Sequence, residues 1–248
     1  MYQIYILWFR QIKKYFRSKS RIVGAVGQPL LFLLALGYGL GSVYKKAGEG
    51  NYLHFLVPGI MAQTVLFSAM FYGAMLIFDR QFGFLKETLV APVSRLKIMI
   101  GGALGGATTA TLQGTLVLVI AYIIGFRVAH IYMIFIAILI MFVLATAIAA
   151  FSSGLGSFVQ DMQGFQAINQ FLIFPLYFLS GALYPLTNVP SWLRIIAEFN
   201  PISYTVDAMR YALINQTKFG IEKDLIALSL TLIICVFYGV WQFRRIQT

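Results

Sequence analysis

Charged residues are scarce in this sequence, and cysteine is nearly absent. Only 11% of the 248 residues are charged, whereas soluble domains contain about 25% charged residues. Together with a hydrophobic content of 60%, this composition disfavours a water-soluble globular domain. The single cysteine, Cys235, lies inside an apolar run, so the chain has no disulfide framework and no cysteine cluster for zinc or iron–sulfur. We interpret it as a small buried hydrophobic residue.

The groups that catalyse reactions or couple transport to ions are missing from the apolar runs. No Asp or Glu lies near the centre of a run, which disfavours a proton-driven transporter. Both histidines, His54 and His130, fall at run boundaries, so neither can activate Ser180 as a nucleophile. The sequence also has no P-loop motif. We therefore predict no enzymatic activity, cofactor or metal in this chain. The polar residues within the apolar runs are neutral: Gln28, Gln63, Gln113, Asn169 and Gln170.

Long apolar runs dominate the sequence, and their lengths predict membrane-spanning helices. A helix needs about 20 mainly apolar residues to cross a bilayer. Five runs reach this length, and a sixth, shorter run contains Pro175, which a membrane helix tolerates when neighbouring groups satisfy the freed carbonyl. We predict an all-α membrane protein with a single transmembrane domain over residues 1–248. Its six transmembrane helices are expected at about 22–42, 57–78, 98–125, 131–158, 167–184 and 225–243.

The distribution of Lys and Arg predicts the orientation of these helices. The net charge is +11, but the basic residues flank the apolar runs, so we expect no nucleic-acid partner. With both termini on the cytoplasmic side, the inner segments contain 12 Lys and Arg and the outer segments contain 7. The positive-inside rule therefore predicts a multi-pass protein of the cytoplasmic (inner) membrane with both termini in the cytoplasm.

Residues 1–21 predict an amphipathic helix in the cytoplasmic interface. At about 100° per residue, the aromatic and aliphatic side chains fall on one arc and the basic side chains on the opposite one. This pattern is typical of a helix with its apolar face in the acyl boundary and its cations toward the lipid headgroups. Two interpretations stay open: a simple membrane anchor, or a helix that joins the membrane part to something in the cytoplasm.

Two pairs of glycines, four residues apart, open the third predicted span. They are Gly101 with Gly105 and Gly102 with Gly106, and such pairs allow helices to approach closely. Packing within one copy of the chain is favoured over dimerisation.

Segment 185–224 predicts two short amphipathic helices on the outer side. The second begins at Asn200-Pro201, where the asparagine can cap the helix and the proline occupies its first position. The helices are too polar to span and too apolar to be freely solvated, so we expect them to enter the outer leaflet as re-entrant helices. Asp207 and Arg210 stand three residues apart, a spacing that allows an ion pair on one helix face.

A resemblance to a known family appears in the run FLSGALYPLTNVPSWL (residues 178–193), followed by Asn200-Pro201 and Arg210. These residues resemble the C-terminal signature of ABC-transporter permease subunits of the type-2 exporter class. Daunorubicin-resistance-type permeases, nodulation-factor exporters and polysaccharide or teichoic-acid exporters share versions of it. The layout is similar along the whole chain: an amphipathic N-terminal helix, six spans, a charged loop after span two and outer helices before span six.

The resemblance gives a role to the charged loop at 79–97. In such permeases this loop forms a coupling helix that docks into a cleft of a separate ATPase subunit. The segment GFLKETLVAPVSR (83–95) matches the pattern, with Glu87 at the usual acidic position and Pro92 ending the helix. The charged contact with the ATPase would come from Glu87. The apolar contact would come from Leu85, Leu89 and Val90.

The resemblance also implies partners and a mechanism. Two copies of this chain would work with two copies of the ATPase, which binds the ATP and Mg, and membrane lipids would surround them. An export path at the dimer interface, lined by spans one, two and five, would carry an amphipathic, lipid-linked or glycan substrate. Candidate pathway-lining residues form a stripe of Phe171, Phe174 and Phe178. We expect an outer gate formed by Trp192, Asn200, Pro201, Asp207 and Arg210.

Two other classes of function stay open on the sequence alone. One is a membrane scaffold or assembly subunit without a transport path, and the other is a secondary transporter. A neighbouring gene that encodes an ATPase with a Walker motif would favour the exporter. The sequence does not distinguish a drug from a lipid or a glycan as substrate.

Overall fold

The structure is built from helices joined by short turns. It is a computed structural model that describes residues 2–46, 50–90, 93–187 and 189–245, and within these ranges it contains no strand. A π-helical turn, Asn169–Ile173, joins the eighth helix to the ninth. The helices are α1 Tyr2–Arg17, α2 Lys19–Gly39, α3 Gly41–Lys46, α4 Tyr52–Gln81, α5 Phe84–Val90, α6 Arg95–Ile124, α7 Met133–Phe158, α8 Met162–Ile168, α9 Phe174–Phe178, α10 Ser191–Phe199, α11 Pro201–Ile214 and α12 Ile221–Arg244.

Four helices of the described chain are long and apolar enough to cross a membrane. They are α4, α6, α7 and α12, which correspond to predicted spans two, three, four and six. Among the described residues of α2, Gly27–Gly39 form an apolar stretch that is shorter than these four helices. The all-α membrane class is therefore confirmed, whereas the count of six spans stays a prediction.

Helix α4 forms the centre of the bundle. It is buried along most of its length and packs against α6 and α7, and α7 in turn packs against α12. One close crossing joins α4 to α7 at Gly73, where any larger side chain would collide with Ser152. The Ser152 hydroxyl donates to the carbonyl of Met70 at 2.6 Å. In a bilayer, the hydrophobic effect does not drive two apolar helices together, because the lipid is equally apolar. Small residues at the crossing let the helices approach closely and pack by van der Waals contact instead.

One end of the bundle, which we call the basic end, gathers the C-termini of α7 and α12 beside arginine side chains. Arg80 donates to the carbonyls of Ser157 at 2.7 Å and Val159 at 3.2 Å. Arg95 donates to the carbonyl of Arg244 at 2.9 Å. Cations at these positions satisfy carbonyls that helix ends leave unpaired and complement the helix dipole. The basic end matches the side that the positive-inside rule assigns to the cytoplasm.

Helix α1 packs across the start of α6. Lys97 donates to the side chain of Gln3 at 2.9 Å, and Trp8 donates to Thr108 at 2.9 Å. Gly101 and Gly105 face α1, where added side chains would meet Leu7 and Gln11, and Gly102 and Gly106 face Tyr72 of α4. The prediction that these glycine pairs pack within one chain is therefore confirmed.

The end of α1 requires one correction. The predicted amphipathic segment runs to residue 21, but α1 ends at Arg17 and α2 begins at Lys19. The intervening Ser18 has non-helical backbone angles of φ −97° and ψ 83°. Serine competes with helical hydrogen bonding through its own side chain, which favours a break at this position. Exposed Tyr5, Phe9 and Phe16 leave α1 with an apolar face toward the surroundings, as expected for an interfacial helix.

The opposite end of the bundle carries α3, α10, α11 and the connections between them. Here the Tyr52 hydroxyl donates to the carbonyl of Leu183 at 2.8 Å, and Ala129 N donates to the carbonyl of Leu213 at 2.8 Å.

We expect this end to face the outside. With Cys235→Ser as background, Ile196→Cys on α10 should react with an impermeant maleimide added to intact cells. Val90→Cys at the basic end should react only after permeabilisation. The reverse labelling pattern would invert the predicted orientation.

Candidate functional site

The predicted coupling segment forms a short helix, α5, at the basic end. It lies between α4 and α6, and the Thr88 hydroxyl donates to the carbonyl of Phe84 at 2.9 Å. The helix ends at Val90, in agreement with a break near Pro92. Pro92 itself lies outside the described residues, as do the side chains of Glu87 and Leu89.

Burial corrects the expected role of one residue in α5. Leu85 is only 5% exposed and belongs to the hydrophobic core, so it anchors α5 to the bundle instead of offering a contact surface. Val90 is 86% exposed, so its predicted contact with a partner protein is sterically possible and stays a prediction. The helical period allowed both residues to be grouped with Leu89, but it could not show which of them faces the rest of the chain.

The amphipathic helix α1 is tied to this coupling region. Arg10 donates to the hydroxyl of Thr88 at 3.4 Å, and Lys14 forms an ion pair with Asp79 at 3.2 Å. Exposed ion pairs contribute little to stability, about 0–1 kcal/mol. Their importance lies in position, because they connect α1 both to α5 and to the end of α4. Both interpretations of α1, a simple membrane anchor and a helix that joins the membrane part to something in the cytoplasm, stay predictions.

At the opposite end, Arg210 holds the turn that follows α9. One guanidinium nitrogen, Nη2, donates to the carbonyls of Gly181 at 2.9 Å and Ala182 at 3.1 Å. The guanidinium also lies over the ring of Phe55, with Cζ 3.7 Å from the ring centroid. Burial lowers the pKa of Arg210 to about 10, so the side chain stays charged at neutral pH.

Asp207 does not form the ion pair with Arg210 that their spacing allowed. Its Oδ2 accepts hydrogen bonds from the Thr217 hydroxyl at 2.9 Å, Lys218 N at 2.7 Å and Phe219 N at 2.8 Å. The short carboxylate is satisfied by the backbone of the loop between α11 and α12, whereas the longer arginine reaches across to the turn after α9. Each residue therefore fixes a different connection at this end of the bundle.

Asn200 caps α11 as predicted. Its Oδ1 accepts from Ile202 N at 3.0 Å, and Pro201 is the first residue of the helix. The same side chain donates from Nδ2 to the carbonyl of Leu176 at 2.5 Å, which links α11 to α9. The cap therefore also holds two elements of the outer region together.

The two outer helices differ in their surroundings. Helix α11 packs against α4, α7 and α12 and buries most of one side, and the expectation that it enters the outer leaflet as a re-entrant helix stays a prediction. Its apolar residues find partners within the bundle. Helix α10 instead has an exposed apolar face, which is formed by Trp192, Ile195, Ile196 and Phe199. An exposed apolar face of this kind is suited to lipid contact.

A cleft of about 360 Å³ opens between α2, α4 and α6. Sequence reasoning recognised its amides as neutral intramembrane residues but gave them no site. A sequence pattern that indicates the cleft is present in α4, where Gln63, Phe67 and Phe71 recur every four residues and therefore share one face of the helix. None of the described residues that line the cleft is charged; they are Gly24, Gln28, Pro29, Gln63, Thr64, Phe67, Ser68, Phe71 and Gln113.

The predicted aromatic stripe is divided by the π-helical turn. Phe174 packs against Phe67 of the cleft at a ring distance of 4.9 Å and against Phe178 at 5.7 Å. Phe171 lies within the π turn and is 82% exposed. Pro175 lacks the N–H that an α-helix would use at this point, which favours the wider turn. One member of the stripe thus adjoins the cleft, while its role in a pathway stays a prediction.

These features define an integral membrane protein with a bundle of apolar helices, a short helix exposed at its basic end and an uncharged cleft between helices. The chain belongs to the ABC-2 type transporter family, which matches residues 2–214. It is a transport permease of that family, as the resemblance in the sequence indicated.

Several relatives align with most of the chain. It is 29% identical to a putative transport permease, ycf38, of Cyanophora paradoxa, over 98% of this chain and 88% of the relative. It is 25% identical to nodulation protein J of Rhizobium leguminosarum bv. trifolii, over 97% of this chain and 90% of the relative. The inner membrane transport permease YadH of Escherichia coli K12 is 28% identical over 84% of this chain and 82% of the relative.

Proposed function

We propose that this chain is the membrane subunit of an ATP-driven exporter of the cytoplasmic (inner) membrane, with both termini in the cytoplasm. Two copies would assemble with two copies of a separate ATPase subunit that binds ATP and Mg. ABC-2 permeases normally work with such a subunit. The observation that carries the proposal is α5, a short helix tied to α1 and α4 at the basic end and followed by charged residues at the start of α6.

The connection from α5 to the cleft suggests how ATP hydrolysis would act. Helix α4 has 30 residues and is continuous from Tyr52 to Gln81, which corresponds to about 45 Å. Gly83, with φ +80°, forms the turn between α4 and α5. Because a helix transmits displacement along its axis, movement of α5 toward its counterpart in a dimer would shift the α4 residues that line the cleft.

The lining of the cleft favours an exporter that is driven by a separate ATPase subunit over a secondary transporter. Ionisable side chains within the membrane mark the paths of proton relays and many ion-coupled carriers. The cleft presents amides, hydroxyls and aromatic rings instead. An amphipathic, lipid-linked or glycan substrate would fit this chemistry, with the apolar part remaining among lipids. The other candidate, a scaffold without a transport path, gives no reason for a cleft with amides and hydroxyls between the helices.

Reconstitution with the ATPase tests the proposal. The permease and the ATPase encoded beside it should co-purify as a complex of two copies each, measured by mass photometry. ATP hydrolysis by the ATPase should change at least severalfold when the permease is present in liposomes. Assembly without any effect on hydrolysis would favour the scaffold. Failure to assemble would contradict the proposed partnership.

A further inference from the structure

A pocket at the basic end lies where three long apolar helices finish. We call it the basic pocket; it has a volume of about 480 Å³ and opens between the last turns of α4, α7 and α12. These three helices are long and apolar enough to cross a membrane. Their ends therefore mark the level at which the acyl chains of a bilayer give way to the lipid headgroups.

Two arginines on different helices line the basic pocket. The guanidinium of Arg245 lies over the ring of Trp241, with Cζ 4.0 Å from the ring centroid, and it makes no hydrogen bond to another described residue. Stacking orients the planar group and leaves the N–H donors at its edge available. Arg80 donates through Nη1 and Nη2 to carbonyls at the end of α7, whereas its Nε is buried and has no partner among the described residues. Donors from α4 and α12 thus converge on one space.

The acidic side chains described near the basic pocket are engaged elsewhere. Asp79, at the end of α4, forms the ion pair with Lys14 at 3.2 Å. Asp161 accepts from Gly164 N at 2.6 Å and so caps α8. Two cations in a partly enclosed pocket favour an anion, and phosphate oxygens match the fork of N–H donors that an arginine presents.

An exposed apolar face of α12 leads from the basic pocket toward the middle of the helix. It is formed by Trp241, Phe237, Ile234 and Leu230, which lie three or four residues apart. Phe158, the last residue of α7, is exposed beside the same pocket. A soluble phosphate ester would use only the arginines, whereas a phospholipid would place its phosphate beside them and its acyl chains along this face. The combination favours a lipid.

We propose that the basic pocket binds the phosphate of an anionic phospholipid, with Arg245 and Arg80 as donors and the acyl chains along α12. Trp241 would orient Arg245 at the headgroup boundary, where tryptophan is enriched in membrane proteins. Because Arg80 also holds the end of α7, the bound lipid joins the ends of α4, α7 and α12. Basic pockets between membrane helices recognise lipid headgroups in this way. The site does not depend on the proposed export function and shares no described lining residue with the cleft between α2, α4 and α6.

Lipid binding to the delipidated chain in a neutral detergent tests this assignment. Native mass spectrometry would measure the Kd of dioleoyl phosphatidylglycerol and of dioleoyl phosphatidylcholine, which has the same acyl chains. Phosphatidylglycerol should bind severalfold more tightly and raise the Tm, because the choline cation brings like charge to the arginines. Glycerophosphoglycerol, the same headgroup without acyl chains, should not displace the lipid at millimolar concentration. Displacement by it would identify a soluble phosphate ester as the ligand and overturn the lipid assignment, as would equal binding of phosphatidylcholine.

Two matched variants of α12 locate the binding site. Arg245→Gln removes a charge at an exposed position and should weaken phosphatidylglycerol binding by about tenfold, as expected for loss of a hydrogen bond to a charged group. Its Tm without lipid should equal that of wild type. Lys223→Gln removes the same charge from an exposed position at the other end of the helix and should bind as wild type does. Undiminished binding by Arg245→Gln, or equal loss in both variants, would overturn the site. Because the assay contains no ATPase, failure of the proposed partnership would appear only in the reconstitution experiment.

Discussion

Arg210→Ala should destabilise the protein and abolish export, the largest effect we expect at the opposite end of the bundle. The substitution leaves the carbonyls of Gly181 and Ala182 without their donor and removes the cation from the ring of Phe55. Each buried carbonyl left unpaired costs about 1–3 kcal/mol. The turn after α9 should then separate from α11, and with it the geometry of the predicted outer gate. Unfolding in detergent and ATP-dependent transport in liposomes measure the two effects.

Arg194→Ala is the matched control for this experiment. Arg194 also donates to a backbone carbonyl, that of Thr187 at 3.1 Å, but it does so from the exposed helix α10. Its loss should change stability by less than 1 kcal/mol, about the size expected of a surface substitution. If Arg210→Ala leaves both transport and basal ATP hydrolysis unchanged, Arg210 has no gate function. A lower Tm with normal transport would limit its role to folding.

Glu87→Ala should weaken assembly with the ATPase by at least about tenfold. Truncating one partner of a buried charge pair at an interface typically costs about 2–5 kcal/mol, part of which is the other charge left unpaired. Insertion and folding of the permease should be unaffected, because Glu87 lies outside the long apolar helices. Pull-down of the ATPase and substrate-stimulated ATP hydrolysis are the measurements.

Lys86→Ala is the control for Glu87, since it is the adjacent charge on the same short helix. We expect it to change neither assembly nor stimulation appreciably. Normal assembly and stimulation in both variants would show that α5 is only a linker. If both variants fail equally, the helix matters for docking but the acidic residue has no special part in it.

Local signals in the sequence predicted those features that depend on a single helix. The four long spans follow from runs of apolar residues, and α5 follows from a charged stretch that ends near Pro92. The cap of α11 follows from the pair Asn200-Pro201, whose geometry is set by neighbouring backbone atoms. In each case the controlling interactions lie within one or two turns of the residue concerned.

Features that depend on which elements become neighbours were not predictable in this way. Helical spacing placed Asp207 and Arg210 on one face but could not show that a loop amide lies closer to the carboxylate than the guanidinium does. The same limit applies to Leu85, which turns inward, and to the pairing of Ser68 on α4 with Gln113 on α6. The π turn at Asn169–Ile173 depends on how the helix accommodates Pro175 within the packed bundle.

The arginines at the basic end link the biosynthesis of this protein to its final fold. During insertion, the translocon responds to positive charge, for which lysine and arginine are equivalent. In the folded chain, Arg80 reaches two carbonyls at the C-terminal end of α7, and Arg95 reaches one at the end of α12. A lysine lacks the planar fork that makes two such hydrogen bonds. The arginines that the positive-inside rule predicts to orient the nascent chain are thus also the ones that pair with carbonyls at helix ends, so membrane insertion and packing would constrain the same residues.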